Sequence, residues 1–177
     1  MKPQILAQCA LFAALMCVCA WISVPLPDIA FTLQTFTLFL TLGLLGGKNG
    51  SIVCVVYLLL GAVGLPVFSG FRGGLGVLLG TTGGYVIGFL AAALVYWAVT
   101  HFWGESLAVR LTSLILGLFA CYAFGTVWFL VVYLQGGSVI GLGAVLAKCV
   151  LPYLIPDGIK LALALMLTEK LKPMRNA

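Results

Sequence analysis

The charged residues of this chain stand unusually far apart. Twenty-five residues without a charge separate Lys2 from Asp28, then 19 lead to Lys48, 23 to Arg72 and 32 to Glu105, and 37 separate Arg110 from Lys148. A bilayer core about 30 Å thick is crossed by about 20 apolar residues at 1.5 Å per residue, which is what such runs supply. The runs are continuous and do not alternate with period two, so they suit helices that satisfy their own backbone, not a barrel. With 63% apolar and 7% charged residues, nine basic and four acidic side chains cannot cover a soluble surface. An ordinary cytosolic domain, a disordered tail and a nucleic-acid-binding module are thereby excluded, and the net charge of +5 is no nucleic-acid footprint. One span and its loop take about 29 residues, so the length predicts an all-α membrane protein of six transmembrane helices in a single integral-membrane domain, residues 1–177.

The predicted spans are residues 5–24, 35–47, 51–64, 83–103, 111–133 and 156–171. Pro25 and Pro27 end the first. The turn Gly46-Gly47-Lys48-Asn49-Gly50 divides the short second and third, and Pro66 stops the third. Residues 143–155 read as a short helical or re-entrant piece broken by Pro152. The first apolar run is longer than a secretory h-region and lacks a small-residue cleavage site, so it reads as a retained span. Six spans place both termini on one side, together with Lys2, Lys48, Arg110, Lys170, Lys172 and Arg175. Arg72 and Lys148 fall on the other side. The positive-inside rule then puts the termini in the cytoplasm of a cell-membrane protein and the loops 25–34, 65–82 and 134–143 outside. Trp21 falls at the outer interface, and Trp97, His101 and Trp103 at the inner one.

Several chemistries have no residues to carry them. Cys9, Cys17, Cys19, Cys54, Cys121 and Cys149 lie in apolar runs, form no CxxC pair, and read as small buried apolar residues. With one histidine, no metal site is expected. Gly47-Lys48 is followed by Asn49 and has no phosphate-loop spacing, and there is no HExxH, GxSxG or carboxylate pair. No enzyme and no cofactor are predicted. The halves 1–80 and 81–177 show no matching broken helices, which weakens a secondary-transporter reading.

Four features carry the chemistry that remains. Asp157 and Lys160 are three apart, on one face of an otherwise apolar helix. Ionisable groups in that position are costly, and they face a cavity or pair with each other. Pro156 at the first helical position would set Asp157 at the positive end of the helix dipole. The glycine-rich segment from Gly61 to Tyr85 includes Gly76, Gly80 and Gly84, continued by Gly88. On a helix this stripe admits another backbone, while Gly70, Gly73 and Gly74 suit turns near a ligand, mixed with Phe68, Phe71, Arg72 and Tyr85. Between the first two spans, Thr32, Gln34 and Thr35 place neutral hydrogen-bonding groups at the outer edge. In the first span, Ala10 and Ala14, extended by Ala7, Ala13 and Cys17, form a small-residue face for internal packing or for docking another membrane subunit.

Together these features resemble the BioY family, the biotin-binding S components of energy-coupling-factor (ECF) vitamin transporters. The matching residues are Thr32-Leu33-Gln34-Thr35, Gly64-Leu-Pro-Val-Phe68, Gly73-Gly74-Leu-Gly-Val-Leu-Leu-Gly80 with Thr82-Gly-Gly-Tyr85, and Pro156-Asp157-x-x-Lys160. Thr81 and Pro156 stand where the family usually has proline and glycine. The resemblance implies an S-component-like six-helix bundle that captures biotin from outside. It also implies docking through the first helix, at Ala10 and Ala14, onto a transmembrane coupling protein bearing two ATPases.

The ligand's chemistry suits these residues. The ureido ring has two N–H donors for a carboxylate such as Asp157 and one carbonyl for an ammonium such as Lys160. Each such charge-assisted bond is worth about 1.5–3 kcal/mol. Phe68, Tyr85 and Tyr153 can wall the apolar ring and tail, and Arg72 with the N–H groups of Gly73 and Gly74 can meet the tail carboxylate. A self-contained carrier or channel for a small solute, an S component for another vitamin, and a ligand-free scaffold are the rival readings.

Overall fold

The computed structural model describes residues 2–25, 29–137 and 141–175, with side chains up to residue 172. Asp28, placed by the sequence in the first outer loop, lies outside them. Among the described residues the regular structure is helical apart from one small ribbon. Among these residues five helices are long and apolar enough to cross a bilayer: α1 (Pro3–Trp21), α2 (Gln34–Ala62), α4 (Gly83–Trp103), α5 (Leu107–Gln135) and α7 (Leu151–Arg175). Two short helices, α3 (Leu75–Leu79) and α6 (Leu142–Cys149), lie in connections. The ribbon pairs β1 (Ser23–Val24) antiparallel to β2 (Phe31–Thr32).

The predicted second and third spans form α2, and the chain reverses within it. Gly46 has φ +77° and ψ 168°, a left-handed conformation that glycine adopts without a Cβ clash. In a straight helix Gln34 and Tyr57 would be about 34 Å apart. Here their side chains are hydrogen-bonded, and a Cβ on Gly50 would lie 2.6 Å from Leu42. The two arms of α2 therefore run back along each other.

One end of the bundle carries the α2 reversal, the α4–α5 connection and the last turns of α7, joined by the ion pairs Lys172–Glu105 (3.0 Å) and Arg110–Glu169 (2.7 Å). The other end carries the ribbon, the segment 63–82 and α6. There the Trp21 indole donates to the Pro66 carbonyl at 2.7 Å and stacks on Phe71 at 5.1 Å.

Close packing of α4 on α5 explains part of the glycine stripe. Among tail-like lipids no hydrophobic force pulls two helices together, so contact needs small residues. A Cβ on Gly84 would fall 2.2 Å from Trp128 Cβ, and one on Gly125 would fall 2.2 Å from the Tyr85 ring. The stripe is not continuous, however. Helix α3 ends at Leu79 and the chain breaks direction through Gly80–Thr82, so Gly76 and Gly80 leave the face that Gly84 and Gly88 share.

Other boundaries move too. Helix α1 stops at Trp21, where the ribbon begins, and α5 extends to Leu107 and Gln135. The last helix starts at Leu151, not Pro156, because Pro152 falls in its first turn, where a missing N–H breaks no helical bond. Asp157 is consequently well inside the helix. The dipole effect, confined to the first turn, does not reach it as the sequence had suggested. In α1, Ala7, Ala10 and Ala14 are exposed, but Ala13 and Cys17 are buried and belong to the inner face.

Gly125→Val drives a branched side chain into the Tyr85 ring. Overpacking of this kind costs about 1–3 kcal/mol, so the detergent-purified variant should melt below the parent. An unchanged melting temperature would show that α4 and α5 are not packed this closely.

Candidate functional site

The site is built where α7 faces the ribbon and the start of α2. Asp157 and Lys160 are 3% and 6% exposed, so both charges have left water, and both line the same cavity. Desolvating two charges is affordable only with near-complete hydrogen bonding. Lys160 Nζ donates to Asp157 Oδ1 at 2.8 Å, to Thr35 Oγ1 at 3.0 Å and to the Thr32 carbonyl at 2.7 Å. Its three N–H groups therefore have three acceptors, and the ammonium also sits 4.0 Å from the centre of the Phe31 ring. Asp157 accepts from Thr35 Oγ1 (2.8 Å) and Lys160 at Oδ1, and from Tyr122 Oη (2.6 Å) at Oδ2. The Thr35 hydroxyl bridges the pair, accepting from the base and donating to the acid.

A second chain of hydrogen bonds ties the segments at the ribbon end together. Thr32 Oγ1 donates to Gln34 Oε1 at 2.9 Å, Gln34 Nε2 donates to Tyr57 Oη, and Tyr57 donates to the Val67 carbonyl at 2.9 Å. Phe68 packs edge-on to Tyr57, its ring filling the space a side chain at Gly61 would need. The ribbon and the segment 65–74 are thus held to the same two arms of α2.

The cavity, about 90 Å³, is mainly apolar: Phe68, Val77, Val86, Phe89 and the rings of Tyr85, Tyr122 and Tyr153 surround the charged pair. Tyr85 shares a hydrogen bond of 3.2 Å with Thr126, and Tyr153 donates to the Ile29 carbonyl. A wider vestibule of about 610 Å³, walled by Ser23, Pro25, Gly70 and Gly76, shares Ala30, Ser69, Arg72, Val77 and Thr82 with the cavity and leads to the ribbon end of the bundle.

Eight of the sequence-derived residues (Thr32, Gln34, Phe68, Arg72, Tyr85, Tyr153, Asp157 and Lys160) line this cavity, which decides whether one ligand could meet them all. Gly73 and Gly74 do not. A Cβ on Gly73 would be 2.1 Å from the Leu65 carbonyl oxygen, and the Gly74 N–H is spent on Gly61 at 2.7 Å, so these glycines shape the segment and stand back from the cavity. Arg72 is exposed, with Nε donating to the Ser69 carbonyl at 3.2 Å. Ala10 and Ala14 lie on the outside of α1, away from the cavity.

Sequence reasoning missed Tyr122, Tyr57 and Phe31, and it had Thr35 only as a loop polar group. The one available signal was that a tyrosine in an apolar helix needs a partner for its hydroxyl. Nothing in the sequence says which.

An apolar bundle with a charged, hydrogen-bonded cavity opening to one end is the architecture of a multi-pass membrane protein that binds a small molecule. The comparisons make the family specific. The sequence model of the BioY family matches residues 1–177. "Biotin transporter BioY" of Thermotoga maritima is 41% identical over 169 residues, 96% of each chain, and "Probable biotin transporter BioY" of Pyrococcus horikoshii is 37% identical over 172 residues, 97% of this chain and 98% of that one. The crystal structure of the S-component for biotin from an ECF-type ABC transporter superposes with a TM-score of 0.84 at 24% identity, covering 97% of this chain and 92% of that one. This chain belongs to the BioY family. Its relatives are named as transporters, not enzymes, and its fold is that of an ECF S component.

Lys160→Met leaves the Asp157 carboxylate buried without its cation and should destabilise the protein by about 3–5 kcal/mol. Asp157→Leu combined with Lys160→Met should cost less than either single change. Denaturant unfolding of the three variants in bicelles checks this, and additive losses would mean that the two charges do not depend on each other.

Proposed function

We propose that this protein is the biotin-binding membrane subunit of a vitamin importer and that the Asp157–Lys160 pair grips the ureido ring. The observation that carries the reading is the placement of both charges, desolvated and hydrogen-bonded, in the wall of an otherwise apolar cavity. A cyclic urea presents N–H donors beside a carbonyl, which is the complement of a carboxylate beside an ammonium. Asp157 accepts a ureido N–H. Lys160 donates to the carbonyl by releasing the Thr32 carbonyl, a neutral acceptor exchanged for another neutral acceptor. Phe68, Tyr85 and Tyr153 enclose the ring and the aliphatic tail. Arg72, between cavity and vestibule, receives the tail carboxylate. Thr32 and Gln34 act through the hydrogen bonds that hold the ribbon over the site.

The two antiparallel arms of α2 make six crossings of the bilayer, with both termini in the cytoplasm. The Gln34–Tyr57 bond supports the crossing count. The gathering of Lys48, Arg110 and Lys172 at the end opposite the vestibule supports the orientation. The vestibule then faces outside. Movement of ligand inward draws on an ECF module, a transmembrane coupling protein with two ATPases, docked on the exposed Ala10 and Ala14 of α1. The absence of a phosphate loop from the sequence fits energy supplied by a partner.

A thermal-shift screen of the purified protein against a vitamin panel tests the reading. Biotin at 100 times its dissociation constant adds about 2.7 kcal/mol of stability. Other vitamins should add nothing, and Asp157→Ala/Lys160→Ala should lose retention of labelled biotin. Stabilisation by a different vitamin, or undiminished retention by the double variant, would refute the assignment.

A further inference from the structure

Counting hydrogen-bond positions around the charged pair singles out Tyr122. Lys160 has three N–H groups and three acceptors, so no donor is vacant. Among the described residues, Asp157 Oδ1 takes two bonds, from Thr35 and Lys160, whereas Oδ2 takes one, from Tyr122. The remaining acceptor position of the acid is therefore on Oδ2, beside the Tyr122 hydroxyl, and both residues line the cavity.

Resting on the biotin reading, we infer that Tyr122 is a positioning residue that sets the site's selectivity for a ring bearing a free ureido N–H. Its hydroxyl fixes the carboxylate by one oxygen while Thr35 and Lys160 fix the other. The plane of the group cannot turn, and the second lone pair of Oδ2 stays directed at the ligand. Without the phenol, Lys160 Nζ, three residues along the same helix face, can draw both carboxylate oxygens to itself. The acid then neutralises the base and offers the ligand less. A ligand that presents no N–H at this position loses nothing by the change.

The phenol is not the main tie of α5 to the bundle. Tyr122 stands on α5 and its one hydrogen bond goes to α7, whereas α5 is anchored to α4 through Gly84 and Gly125. Tyr122→Phe keeps the ring and removes only the donor.

The test is equilibrium binding of biotin and of an N,N′-dimethylated biotin, blocked at both ureido nitrogens, to the full chain in nanodiscs. For Tyr122→Phe the dissociation constant for biotin should rise about tenfold, the value for the blocked ligand should be unchanged, and the preference for biotin should fall about tenfold. A purely structural role would weaken both ligands alike and leave the preference intact, which overturns the inference. Tighter biotin binding by the variant would do so too, since the phenol would then be competing with the ligand for Oδ2. If Tyr122→Phe does not fold, 3-fluorotyrosine at position 122 keeps the hydroxyl. Its ¹⁹F resonance should move on adding biotin and stay in place with the blocked ligand, and no movement with biotin contradicts the inference. Failure of the unmodified protein to bind biotin at all would instead reject the function on which this rests.

Discussion

Two opposite charges buried in a bilayer-spanning helix set the terms for the rest of this molecule. In water, the attraction of Asp157 for Lys160 would be worth little. Out of water each charge needs most of its hydrogen-bonding positions met, or the helix does not stay buried. Those positions are met from four places: Thr32 and Phe31 on the ribbon, Thr35 in the first turn of α2, Tyr122 on α5 and the pair itself on α7. The ion pair thus pulls together segments up to 128 residues apart in sequence. Lying toward the ribbon end of the bundle, it stays within reach of solute through the vestibule.

The apolar framework makes that concentration of polarity tolerable. Glycines on α4 and α5 replace a hydrophobic driving force with close contact, and the reversal at Gly46 lets α2 present its first turn and Tyr57 to the same region. The polar chain from Thr32 through Gln34 and Tyr57 to Val67 then fixes the ribbon relative to the segment carrying Phe68 and Arg72. The charged pair itself is held by side chains and one backbone carbonyl, that of Thr32, which is the member exchanged for ligand in the proposed function. A rigid cage with one exchangeable bond can be filled with little reorganisation of the helices.

The all-helical membrane class was legible because bilayer thickness imposes a length on every uncharged run, whereas the predicted second and third spans belong to one element, α2, so that five long apolar helices stand where six were expected. The prediction for 83–103 coincides with α4, since the break through Gly80–Thr82 precedes it and Gly104, at φ +82°, ends it. The start of α7 was misplaced because Pro156 can open a helix as well as sit inside one, and only the packed structure chooses. The Asp157–Lys160 pair was legible from spacing alone, as was the polar character of Thr32 and Gln34. Tyr122 was not legible, because its meeting with Asp157 is a contact 35 residues away between two apolar helices whose relative rotation no one-dimensional pattern encodes. Gly73 and Gly74 were legible as turn formers, but sequence could not tell a glycine that lets backbones meet from one that faces a ligand.

The central claim is that the ammonium of Lys160 is bonded to the ureido carbonyl when the site is filled. Isotope-edited infrared spectroscopy of biotin carrying ¹³C at that carbonyl observes the bond itself. The account predicts a carbonyl band shifted to lower frequency in the bound state, with the shift lost when Lys160 is replaced by methionine in protein that still retains ligand. A band in the bound state that is the same with lysine or methionine at position 160 would contradict it.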